Sequence, residues 1–174
     1  MRNPGRTIGA ALLTLLLAPV VALASHSESP RAPRDFAVGS GKNTFFQVGG
    51  ENHVMVSAHG AGPDATGHVT ARGDFLGDFK LEGEVTCLRA EGNRASIKYR
   101  FKHAEGSLEP FEGGGVQVFI EDNGQPKGGE PVDRNAFDPP LPAGTFEPAQ
   151  CGDPNRTDYD PIDSGNYTVH DSSG

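Results

Sequence analysis

Residues Val85 to Lys102, VTCLRAEGNRASIKYRFK, limit what this chain can become more than any other stretch: a two-residue period runs on either side of a tight turn. Ala95, Ile97, Tyr99 and Phe101 alternate with Ser96, Lys98, Arg100 and Lys102. That spacing puts one row on an apolar face and the other in water, which a helix would mix. On the other arm, Val85 and Cys87 are expected on one face and Thr86, Leu88 and Ala90 on the opposite one. Both faces are semi-apolar, so a central strand covered on both sides is expected. Glu91, Gly92 and Asn93 supply the turn, because Gly and Asn tolerate the positive φ of short hairpin loops.

Similar patterns recur along the chain. Phe36 to Val48 predicts one or two strands broken by Gly39, Ser40 and Gly41, and Gly49-Gly50 predicts a turn. In His53 to His59, Val54, Val56 and Ala58 form the row expected to be buried. Short strands are predicted at Gly67 to Ala71 and at Phe75 to Leu81, and a loop at His103 to Gly115. Val116, Val118 and Ile120 predict a strand that ends at the Asp122-Asn123-Gly124 turn. Eight of the 14 prolines lie between Pro126 and Pro161, so regular structure should be sparse there until a closing strand at Asn166 to His170. Short strands with frequent Gly turns imply an all-β domain: an antiparallel β-sandwich, or alternatively a small β-barrel, with a long irregular C-terminal segment.

The N-terminus reads as an export signal. Arg2 and Arg6 precede an apolar run, Ile8 to Leu23, that closes on the A-x-A signature Ala22-Leu23-Ala24. The expected organisation is a signal peptide over 1–24, a disordered leader over 25–34 and a single domain over 35–174. A secreted, extracellular product is expected, with no membrane insertion after cleavage. The net charge is -8, and without the first 24 residues 13 basic residues face 23 acidic ones, or -10. Such a balance argues against nucleic acid, whose phosphates need clustered Lys and Arg. The two cysteines, Cys87 and Cys151, read as one disulfide in an exported protein.

Val85-Thr86-Cys87-Leu88, Gly92 to Ile97, Val118 to Gly124 (VFIEDNG) and Gly165 to Asp171 (GNYTVHD) together resemble the post-COAP domain family. Over roughly 66–171, the resemblance implies a small secreted bacterial β-domain with no established activity. It brings no catalytic residues. The chain departs from the family where Gln125 to Pro131 is inserted ahead of Asp133.

Two groups carry possible chemistry. His53, Met55 and His59 share one strand face, and imidazole and thioether suit copper, imidazole alone zinc. His53 and His59 would stand about 20 Å apart on a straight strand, so only His59 and His68 are candidates to share an ion. The second group is acidic: Glu121, Asp122, Asn123 and Asp133 near one turn, then Asp153, Asn155, Thr157, Asp158, Asp160 and Asp163. These oxygens suit a structural Ca2+ that tightens loops. The D-x-N-x-T start at Asp153 resembles an EF-hand loop but places Asp158 where Gly is required. Arg72-Gly73-Asp74 spells an integrin tripeptide, best explained by chance. Asn155-Arg156-Thr157 and Asn166-Tyr167-Thr168 fit the N-glycosylation sequon. Patterns such as G-x-S-x-G and H-E-x-x-H do not occur. The expected function is therefore a non-catalytic binding or structural module of the cell envelope or extracellular space, acting through loops on a protein or glycan. A small metal-binding protein or metal-dependent enzyme using His59 and His68 is the alternative.

Overall fold

The computed structural model describes residues 34–44, 49–75, 77–125 and 132–173. The signal-peptide expectation, nearly all of the leader, and Phe45 to Val48 lie outside the described residues. Among the described residues, nine strands form one antiparallel sheet: β1 (Phe36–Thr44), β2 (Glu51–His59), β3 (Thr66–Gly73), β4 (Phe79–Glu91), β5 (Arg94–Gly106), β6 (Gly115–Glu121), β7 (Arg134–Phe137), β8 (Asp160–Pro161) and β9 (Ser164–His170). The all-β antiparallel expectation is met by a single sheet curled into a half-barrel, whose facing walls belong to the same sheet.

Chain order and spatial order agree from β1 to β8, and β9 alone crosses over to pair with the outer edge of β1. Tyr99, Ile97 and Phe101 of β5 stand at the centre of the core, with Val54 and Val56 of β2, Val69 of β3 and Val118 of β6 around them. Alternation on β2, β5 and β6 thus points its apolar rows inward as expected. Gly92 and Asn93 make the two-residue β4–β5 turn, with φ of 60° at Gly92.

Three expectations change. The β4 arm does not keep one phase, because Val85 pairs with Tyr99 while Cys87 pairs with Lys98, leaving Thr86 as a bulge. An extra residue reverses the facing of its successors, so Val85 joins Leu88 and Ala90 on the core side and Cys87 turns outward. β1 runs unbroken through Gly39 and Gly41, since β2 and β9 hold it from both sides. Gly39 (φ 132°) serves close approach there: a Cβ on it would sit 2.2 Å from the Asn166 carbonyl oxygen. β5 continues to Gly106, so part of the predicted loop is strand, because Leu81 and Phe79 extend the partner that it pairs with.

The half-barrel closes through side chains. Asn135 Nδ2 donates to Asn43 Oδ1 at 2.8 Å and to the Tyr167 hydroxyl at 3.2 Å, bridging β7, β1 and β9. The amides on the free edge of β9 meet carboxylates: Tyr167 N donates to Asp133 Oδ2 at 2.6 Å and Val169 N to Asp122 Oδ2 at 2.9 Å. These acids complete a strand edge that would otherwise leave amides unpaired.

All seven residues of β6 are buried. Its inner row meets the core, and the Pro-rich segment after β7 covers its outer row. Phe119 packs with Ala136 and Tyr159, and the Arg156 guanidinium lies 4.3 Å from the Phe119 ring centre. Burial pushes the Tyr159 hydroxyl up to about 12, so it stays protonated and donates to the Pro154 carbonyl at 2.6 Å. Cys87 and Cys151, 64 residues apart, form the disulfide that ties this segment to β4. Closing a loop of that length restrains the unfolded chain by roughly 4 kcal/mol. Cys151→Ser should therefore melt well below the wild type under oxidising conditions and match it under reducing ones. Equal melting temperatures under oxidising conditions would contradict a stabilising cross-link.

Candidate functional site

Alternation that sends one row of each strand into the core sends the other outward, and register aligns the outward rows. At one end of the half-barrel, Ser164 of β9 pairs with Lys42 of β1, Lys42 with His53 of β2, His53 with Arg72 of β3, Arg72 with Lys80 of β4, and Lys80 with Glu105 of β5. Four basic side chains from four adjacent strands thus form one line. Directly opposed residues hold their Cβ atoms about 5 Å apart, and like charges so placed are locally destabilising. The row stands out on a chain whose net charge is -8.

These residues floor and wall an open cleft of about 680 Å³, bordered by Glu51, Asp74 and Asp78 along the barrel end. Lys42 is held by Glu51 at 2.7 Å, and Lys80 reaches Glu82 at 3.5 Å and Glu105 at 4.0 Å. Asp74 Oδ1 accepts the Glu51 amide at 2.6 Å, which fixes the rim. The side chains of Arg72 and His53 have no hydrogen-bond or ion-pair partner among the described residues. At the far end His103 donates to Glu105 at 2.8 Å. That hydrogen bond raises the His103 pKa, and it lowers that of Glu105 with help from Lys80, so Glu105 stays ionised.

Beyond the row, the same face sinks into a shallow trough of about 510 Å³ over Ser40, Met55, Ser57, His68 and Asn166. Small side chains on β1 make this depression. Met55 lines it, half exposed.

The histidine pair expected to share an ion does lie on one face. Ser57 pairs with His68 and Thr66 with His59, which sets the two histidines diagonally across β2 and β3. His59 Nε2 is 3.2 Å from Ser57 Oγ, and its ring lies 6.3 Å from that of Phe36, which stacks on His170 at 5.1 Å. Among the described residues, no group of three or more His, Cys, Asp or Glu side chains is placed to hold a metal ion.

The acidic candidates have another task. Asp122 Oδ1 accepts the Gly124 amide and Asp133 Oδ1 the Asn123 amide, both at 2.8 Å, while their second oxygens hold β9. Asn123 Nδ2 donates to the Val132 carbonyl at 2.9 Å. This group latches a seam, and its carboxylate oxygens point at backbone amides. In the later stretch, Asp153 Oδ1 accepts the Asn155 amide, and Asp158 is pulled down to about 2 by its hydrogen bonds from Arg156.

Sequence reasoning met His53 and Met55, and Arg72 and Asp74 within one tripeptide, but not Lys42, Lys80, Glu51 or Asp78. The row joins residues from six strands, and only strand register brings them into line. Comparison with protein-family models, with curated proteins and with solved structures finds no match.

Proposed function

We propose that the protein is an exported, non-catalytic binding module of the cell envelope or extracellular space. The outward cleft on β1 to β5 would hold an anionic group of its ligand. The observation that carries this is the line Lys42–His53–Arg72–Lys80, in which the side chains of Arg72 and His53 have no partner among the described residues. Arg72 and Lys80 set like charges opposite each other on β3 and β4, and an anion bound between them would relieve that repulsion. Export is supported by the N-terminal signal pattern and by the Cys87–Cys151 disulfide, a bond that persists in oxidising compartments. No helix among the described residues is long and apolar enough to cross a membrane. The resemblance to post-COAP domains belongs to the same proposal and is compatible with a module that binds rather than reacts.

A chemical-shift titration with acetate at constant ionic strength tests the cleft. The amides of Lys42, His53, Arg72 and Lys80 should shift saturably, and Arg72→Glu should abolish the shifts. Arg89→Glu makes the same change in net charge away from the cleft and should leave them intact. No saturable shift in the wild type, or equal loss in both variants, would refute a local anion site.

A further inference from the structure

We infer that the ligand of this cleft is an acidic polysaccharide, a chain of sugars carrying carboxylates at intervals, laid along the outer face from the cationic row into the Met55 trough. The inference rests on the anion-binding proposal above and adds the chemical class of the ligand.

Three observations select that class. The first is the charge arrangement. Lys42, Arg72 and Lys80 lie in a line, but Glu51, Asp74, Asp78 and Glu105 line the same cleft. Three permanent cations against four carboxylates leave no net positive field. A ligand with a charge on every unit, such as a nucleic acid, would meet the carboxylate border and be repelled, since its affinity depends on neutralising many phosphates at once. A ligand with sparse anionic groups and many hydroxyls fits. Its carboxylate can pair with Arg72 in a two-pronged hydrogen bond, and its hydroxyls can donate to the bordering carboxylates, which only accept.

The second is shape. The cleft of about 680 Å³ and the trough of about 510 Å³ share the outer face of β1, β2 and β9. His53 and Met55 are neighbours on that face, as are Ser164 and Asn166. From His53 to Ser57 the track runs about 13 Å along the strand, which suits an extended chain better than a compact metabolite.

The third is Met55, exposed in mid-sheet at 50% beside Ser40 and Ser57. A flexible, polarisable side chain there offers an apolar contact for the C–H face of a sugar ring, flanked by hydroxyl, imidazole and amide groups for its polar edge. An acidic peptide gains no comparable benefit from the carboxylate border.

Affinity electrophoresis of the purified protein in native gels tests this. The gels contain hyaluronate or unsulfated chondroitin, in which every second sugar carries a carboxylate, with dextran, polyglutamate and double-stranded DNA as comparisons. At least one uronate chain should slow the protein, while dextran, polyglutamate and DNA should not. Arg72→Glu should weaken that binding at least tenfold and Met55→Asp about threefold or more. Both side chains are exposed, and an unchanged circular dichroism melt confirms that each variant folds. Equal or tighter binding of polyglutamate or DNA, lost in Arg72→Glu, would overturn the saccharide class and leave the anion cleft standing. Uronate binding that survives Arg72→Glu would overturn the placement of the ligand on this row. No retardation by any of these polymers would overturn the polysaccharide inference, and the anion titration above then decides whether the cleft itself stands.

Discussion

Asp133→Ala is expected to lower the melting temperature by about 20 °C. Asp133 is 2% exposed, and its two oxygens receive the amides of Asn123 and Tyr167 at 2.8 and 2.6 Å. Alanine removes two hydrogen bonds to the carboxylate and leaves the buried Tyr167 amide and the half-buried Asn123 amide without their acceptor. A buried donor without a partner costs about 1–3 kcal/mol. With the small cavity added, the loss is about 5 kcal/mol, and at about 4 °C per kcal/mol for a domain of this size that gives the stated shift. Asp133→Asn separates the contributions. Its amide keeps one acceptor and turns an N–H toward another N–H, so a fall of about half that size is expected. A thermal melt of Asp133→Ala within about 5 °C of the wild type would mean that β9 is held by something other than this carboxylate.

Ile97→Asp should leave no folded protein at all. Ile97 is fully buried, pairs with Leu88 and Val118 on either side, and belongs to the main apolar cluster. An isolated carboxylate there has no partner of opposite charge, and burying it costs more than about 5 kcal/mol, comparable with the whole stability of a domain. Protonation at low pH removes the charge but still leaves a polar group in an apolar site. A soluble Ile97→Asp protein that melts cooperatively would show that the side chain does not face the core.

The contrast between these two positions shows what a sequence of this kind discloses. Ile97 was legible because its neighbours at two-residue spacing repeat its character, and period two is a property of one strand alone. The same holds for Val54, Val56 and Ala58, and for the closing strand at Asn166 to His170. The Cys87–Cys151 bond was legible because only two cysteines exist. Thr86 was not, because a single extra residue changes no composition and yet reverses the phase of the residues after it. Asp133 was visible as an acid near a turn, and the chemistry of isolated acids there suggested calcium. Its partners, Tyr167 and Asn123, come from distant and adjacent segments, and no local pattern joins them. The cleft failed to appear for the same reason: Lys42, Arg72 and Lys80 become neighbours only after several strand pairings are in register.

Each of strands β1 to β8 lies beside the one before it in the chain, so those pairings join neighbouring elements and close short loops. The ninth waits: Phe36 finds its partner at His170, across nearly the whole domain. During vectorial emergence from a ribosome or an export channel, the outer edge of β1 therefore stays bare until residues 164–170 arrive. In that interval a second nascent chain could pair with the bare edge, so slowing or crowding the last stage of emergence should raise the share of intertwined dimers.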